Sequence, residues 1–175
     1  MPDRSDPGER HRLATRDDLA RIVEIYNSTI ASRMVTADLE PVTVASRVKW
    51  FEEHSPNSRP LWVTQRDGEI TGWLSFSSFY GRPAYDKTAE VSVYVDERFR
   101  GQGVGAYLLG AAIAHAPSIR VDTLLGFIFA HNIPSIRLFE KFGFEQWAHM
   151  PGVARLEGVE RDLVIVGRKV PFATA

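Results

Sequence analysis

The chain has no cysteine among its 175 residues. Disulfides, thiolate nucleophiles and zinc sites built on thiolates are therefore excluded. Charge of one sign is also lacking in excess: 21 basic residues meet 22 acidic ones, a formal net charge of −1. So even a balance argues against nucleic acid or an anionic membrane surface as partner. No apolar run approaches the roughly 20 residues that span a bilayer. The opening "MPDRSDPGER" lacks the apolar core of a secretory signal and reads as a polar tail over residues 1–9. The five histidines show no H-x-x-x-H spacing, so no metal site is expected. Internal repeats are absent. A cysteine-free chain without a signal is compatible with the cytoplasm, which is the expected location.

What is present suits one globular domain over residues 10–170, with a short tail at 171–175. Apolar residues make up 44% and charged residues 25%, enough for a hydrophobic core and a solvated surface. "HRLAT" reads as a first strand. "TRDDLARIVEIYNSTIAS" reads as a helix capped by Thr15, with Asp17 and Asp18 at its positive end. Leu19, Ile22, Val23, Tyr26 and Ile30 recur at helical spacing as its buried stripe. The loop "RMVTADLEPV" leads to a second amphipathic helix in "TVASRVKWFEEHS". Asp67-Gly68 then joins two alternating strands as a hairpin. In "TAEVSVYVDE", Ala89, Val91, Val93 and Val95 share one strand face, while Glu90, Ser92 and Tyr94 share the other. A helix to about Ala116, the buried strand "VDTLLGFIFA", the helix "IPSIRLFEKFG" and the strands "FEQWAHM" and "VERDLVIVGRKV" follow. The order β-α-α-β-β-β-α-β-α-β-β predicts a mixed α/β domain.

"RFRGQGVGAYLLG" carries the strongest chemical signal. Glycines before a helix let backbone N–H groups close around an anion, and Arg98 and Arg100 add positive charge. A plain turn is the bland alternative. A Walker loop needs Gly-Lys-Ser/Thr, whereas this chain has Gly105-Ala106-Tyr107. Gly101, Gly103 and Ala106 satisfy the dinucleotide pattern G-x-G-x-x-A, but "DERFR" separates them from the strand, and Asp122 opens the next strand instead of closing it. Arg100, Gly103 and Gly105 also fit R-x-x-G-x-G. At these residues the chain resembles the GNAT superfamily of N-acetyltransferases. A second motif, "HNIPSIRLFEKFGF", about 30 residues later, is similar to the helix after that family's splayed strand. The segments "RLATRDDLARIVEIYN", "AYDKTAEVSVYV" and "ERDLVIVG" narrow the resemblance to the phosphinothricin and methionine sulfoximine acetyltransferases.

The resemblance implies a mostly antiparallel sheet flanked by helices, with splayed strands holding acetyl-coenzyme A. Arg100, Gly101, Gln102, Gly103, Val104, Gly105 and Ala106 would hold its pyrophosphate, and Val93, Tyr94 and Val95 its pantetheine amides. Asn132 and Ser135 match positions that contact the pantetheine arm, although either can equally cap the helix containing Pro134. Met34, Val35, Arg82 and Tyr85 match the acceptor pocket, and Glu90 the general base. An ammonium has no lone pair, so a base that takes its proton assists attack on the thioester. The family's general acid is missing: Phe139 stands where a tyrosine or histidine is common, and Tyr94 or Tyr107 would have to substitute. The expected activity is acetylation of a small amino acid or analogue within a homodimer. Acetylation of a polyamine, antibiotic or protein N-terminus is one alternative; a coenzyme-binding domain with little catalysis is another.

Overall fold

The structure, a computed structural model, describes residues 10–172. Residues 1–9 and 173–175, which hold most of the two expected tails, lie outside the described residues. The elements alternate in the order expected from the sequence. β1 (Arg10–Leu13), α1 (Leu19–Ser28), α2 (Val44–Glu52), β2 (Leu61–Arg66), β3 (Glu69–Ser78) and β4 (Thr88–Val95) come first. α3 (Val104–His115), β5 (Thr123–Phe129), α4 (Ile133–Lys141), β6 (Glu145–Leu156) and β7 (Val159–Lys169) follow. The strands form one sheet, ordered β1-β2-β3-β4-β5-β7-β6. Only β4 and β5 run parallel; the other neighbours are antiparallel.

Strand alternation divides the core into two layers, as β4 shows. Ala89 and Val91 are buried under α3 and α4 with Leu108, Leu109 and Phe139. Tyr94, on the opposite face, packs with Ile22, Ile25 and Trp73 beneath α1 and α2. α1 buries Leu19, Ile22, Val23 and Ile25, while Tyr26 is half-buried and Ile30 falls in the 3₁₀ turn after the helix. Tyr26 leaves the stripe because its hydroxyl is used: it bonds Thr36 and donates to Asp38. Asp18 does more than face a helix dipole. Its carboxylate accepts two bonds from Arg12 (2.6 and 2.8 Å) and others from the Thr15 amide (2.7 Å) and hydroxyl (3.0 Å). The Arg12 guanidinium holds this carboxyl at about 2, so the pair ties β1 to the start of α1.

β6 differs from the sequence reading. It continues past Met150 to Leu156 and turns at Glu157-Gly158, both with positive φ (50° and 82°). Pro151-Gly152 looks like a break in sequence. In the fold it sits in an irregularity between Met150 and Ala154 on an edge strand, where a missing N–H costs no ladder bond.

Candidate active site

The site begins where the one parallel pair among the described residues comes apart. β4 and β5 pair at Thr88–Thr123, Ala89–Leu124 and Glu90–Leu125, and no further. Beyond Glu90, β4 continues along β3 alone to Val95, while β5 continues along β7. Main-chain groups of residues 91–95 turned away from β3 therefore have no strand partner among the described residues. An extended polyamide fits between such strands as an extra edge. α4 roofs this fork. Asn132 caps it by accepting from the Ser135 amide (3.3 Å), and Phe139 lies over Gly126, where a Cβ would stand 2.7 Å from its ring.

At the mouth of the fork the chain turns into the glycine loop. Gly101 and Gly103 take positive φ (71° and 89°), with open space on the side a Cβ would occupy. Gly105 has a different reason: it is already helical, and a Cβ there would meet Leu138 at 3.3 Å. The first amide of α3 tied back into the loop is that of Tyr107, bonding the Gly103 carbonyl at 2.9 Å. The amides before it are open to an anion, and the helix dipole reinforces them. A groove of about 430 Å³ joins this helix start to the fork, lined by Val93, Tyr94, Val95, Arg100, Ala106 and Ser135 among others. Gly103→Ala is expected to weaken acetyl-coenzyme A binding by about tenfold, because an L-residue at that φ costs about 1–2 kcal/mol. Titration calorimetry measures it.

The two arginines of the loop separate. Arg100 is exposed and lines the groove. Arg98 is committed to Asp96 (2.9 Å) and Glu69 (2.5 Å), so its charge braces the turn and is not offered to a phosphate. Gln102 also braces, accepting from Arg66 (2.7 Å) and donating to the Arg98 carbonyl (2.9 Å). Asp96, which sequence reasoning missed, organises all of this. It is buried and accepts from Arg21, the Arg98 amide (2.8 Å) and the Arg98 side chain.

Glu90 points to the other side of the sheet. It lines a cavity of about 200 Å³ between the sheet and the two N-terminal helices, with Tyr26, Arg47, Trp50, Trp73 and Tyr94 as walls. Burial pushes the Glu90 carboxyl above the usual carboxylate range, partly opposed by a hydrogen bond from Ser92. Tyr94 stacks on Trp73 (centroids 4.3 Å, planes 16° apart) and borders this cavity, the groove and a small pocket at the fork. Burial also raises its phenol, which stays protonated. Tyr107, the other candidate acid, instead bonds His11 (2.8 Å) and borders none of these three spaces. Asn132 and Ser135 both reach the fork, and Asn132 also caps α4 by accepting from the Ser135 amide.

The expected acceptor residues divide. Val35 lines both groove and fork, and Met34 beside it is half-buried. Arg82 and Tyr85 lie in the exposed β3–β4 loop and line none of these spaces. Phe79 in the same loop comes nearer: its ring centroid is 6.4 Å from that of Phe127 at the fork. Arg47, Trp50 and Trp73 were legible only as members of amphipathic elements; nothing local marks them as cavity walls.

A forked sheet facing a glycine-started helix, with a half-buried carboxylate beside the fork, is the architecture of a transferase that takes its acyl group from coenzyme A. The chain belongs to the acetyltransferase (GNAT) family, whose match covers residues 22–144. It is accordingly an acetyl-coenzyme A-dependent N-acetyltransferase. YwnH of Bacillus subtilis (strain 168) is 55% identical over 160 residues, 91% of this chain and 98% of YwnH. The L-methionine sulfoximine/L-methionine sulfone acetyltransferase of Salmonella typhimurium (strain LT2) is 31% identical over 155 residues, 89% of this chain and 91% of that protein. A crystal structure of a GNAT superfamily phosphinothricin acetyltransferase from Sinorhizobium meliloti, in complex with acetyl-coenzyme A, superposes with a TM-score of 0.88. It is 26% identical and covers 95% of this chain and 92% of that one.

Proposed function

We propose that the enzyme acetylates the amine of a small amino acid or analogue, of the phosphinothricin and methionine sulfoximine type, with Glu90 as general base. The observation that carries this reading is the position of Glu90 at the last β4–β5 pair, facing a small aromatic-walled cavity on one side of the fork. When bound, acetyl-coenzyme A supplies an activated acetyl thioester. The open amides at the start of α3 and Arg100 suit its pyrophosphate, and residues 93–95 suit its pantetheine amides. An amine in the aromatic cavity gives its proton to Glu90, whose raised affinity for protons fits that task. Tyr94, which borders both groove and cavity, is the group to protonate the departing thiolate in place of Phe139.

The reading includes a homodimer acting in the cytoplasm. The dimer is supported by four exposed apolar residues of the β6–β7 hairpin, Trp147, Met150, Val153 and Val159, since exposed apolar surface marks interaction sites. The test is an amine panel. Purified enzyme with acetyl-coenzyme A is expected to release free thiol with methionine sulfoximine or phosphinothricin, and far less with polyamines, aminoglycosides or peptide N-termini. Thiol release only with the latter group would refute the substrate class. Coenzyme binding without release for any amine would identify a binding domain.

A further inference from the structure

We infer that Arg47 is the carboxylate-binding residue of the aromatic cavity, so that this enzyme selects α-amino acids over amines lacking a carboxylate. The inference rests on the N-acetyltransferase reading above and concerns a residue on α2, far in sequence from both motifs. The cavity holds two groups of opposite charge: Arg47 from α2 and Glu90 from β4. They are not each other's partners. No ion pair joins them, and the environment that shifts Glu90 consists of burial and Ser92. Tyr94 lines the same cavity. Neither charge is spent on the other, so each can meet something that enters the cavity.

Arg47 is held rather than loose. Its Nη2 donates to Asp38 (2.9 Å), and its guanidinium carbon lies 4.8 Å from the centre of the Tyr26 ring. One donor and one face are used, and Nε and Nη1 have no protein partner among the described residues. A guanidinium fixed in this way, with donors still to give, is suited to a carboxylate. Asp38 also accepts from the Tyr26 hydroxyl, and its ion pair with Arg47 runs through Nη2 alone, which holds the guanidinium in place while leaving its other donors to a ligand. A zwitterion satisfies both ends of the cavity: its carboxylate at Arg47 and its amine toward Glu90. The rings of Trp50, Trp73 and Tyr94 then wall its side chain. A polyamine would bring a second cation to Arg47. Arg82, the other arginine considered for this role, is exposed and lines no part of the cavity.

The experiment compares an α-amino acid acceptor, methionine sulfoximine, with the amine of identical side chain that lacks the carboxylate. Thiol release gives kcat and KM for wild type, Arg47→Met, Arg47→Lys and Arg82→Met, with acetyl-coenzyme A affinity as the check on folding. Wild type is expected to prefer the amino acid. Arg47→Met is expected to raise KM for the amino acid at least tenfold, with kcat changed much less, so that the preference collapses. Arg47→Lys should restore part of it, and Arg82→Met should keep it. Equal losses for both acceptors in Arg47→Met would make Arg47 a mere wall and overturn the inference. So would collapse of the preference in Arg82→Met instead, or a wild type that favours the descarboxy amine. No thiol release with any amine would overturn the N-acetyltransferase reading itself, and the inference with it.

Discussion

Glu90→Gln is expected to lower kcat about 100-fold or more at neutral pH while leaving acetyl-coenzyme A affinity nearly unchanged. The amide keeps the shape of the carboxylate and its contact with Ser92 but cannot take a proton. The deficit should shrink as pH rises, because a growing share of the amine then arrives already neutral. In the wild type, burial raises the Glu90 carboxyl, so the acidic limb of kcat should lie above the ordinary glutamate range. Stability moves in the opposite direction. A carboxyl whose folded value is raised above its unfolded one binds protons better when folded. Folding stability therefore falls as pH rises from the unfolded value through the folded one, and the cost is complete above the folded value. Glu90→Gln removes that cost, so the inactive variant should melt higher at pH 7 and converge with wild type in acid. Scanning calorimetry and a pH–rate series check both halves. Unchanged turnover would remove Glu90 from the role of base.

Asp96→Ala is expected to be the most damaging change away from the chemistry. It removes the buried carboxylate that Arg21 and Arg98 share, leaving Arg21 only exposed Glu24 (2.9 Å) and more distant Glu69 (4.0 Å) as charged partners, and unties the turn that delivers the chain into the glycine loop. A cost of about 3 kcal/mol is expected for breaking such a pair. In a chain of this size that is a fall of roughly 6–12 °C in melting temperature. Acetyl-coenzyme A affinity should weaken as well, measured well below the melting range, because the loop amides lose their frame. Burial alone would raise the Asp96 carboxyl, but the bonds from Arg98 and Arg21 outweigh it and hold the value at about 2. A depressed carboxyl stabilises the fold above its unfolded value, near 3.8, and the contribution is lost as pH falls toward about 2. Asp18 titrates in the same window. Acid unfolding of Asp96→Ala should therefore be shallower than that of wild type, with Asp18, Asp162 and Glu157, whose carboxyls are also lowered, contributing to the remainder.

Order and type of the elements were legible because each carries its own period and punctuation. β4 alternates, α3 opens on glycines, and Asp67-Gly68 marks a hairpin. The coenzyme side of the site was legible for the same reason, since its parts lie within one strand, one loop and one helix start. The acceptor side was legible only at Glu90. Arg47 and Trp73 come from other elements, and only the packing of α1 and α2 on the sheet unites them with it. Asp96 and Arg98 show the same limit in a smaller compass. The sequence offers an arginine beside a phosphate loop, and only the neighbouring carboxylates reveal that its charge is already in use. β6 was cut short because a Pro-Gly pair reads as a stop unless one knows that the strand lies at an edge.

The fork between β4 and β5 bears on how this enzyme tolerates mutation. On the proposed reading, the groups offered there to the pantetheine arm belong to the main chain, which every amino acid except proline supplies in full. Val93 and Val95 can therefore exchange with other strand-forming residues of similar size without erasing the donor-binding function, provided the two strands still part after Glu90. Nothing comparable protects the acceptor cavity, whose character is written in side chains. Mutational drift should thus change which amine is taken long before it changes the source of the acetyl group.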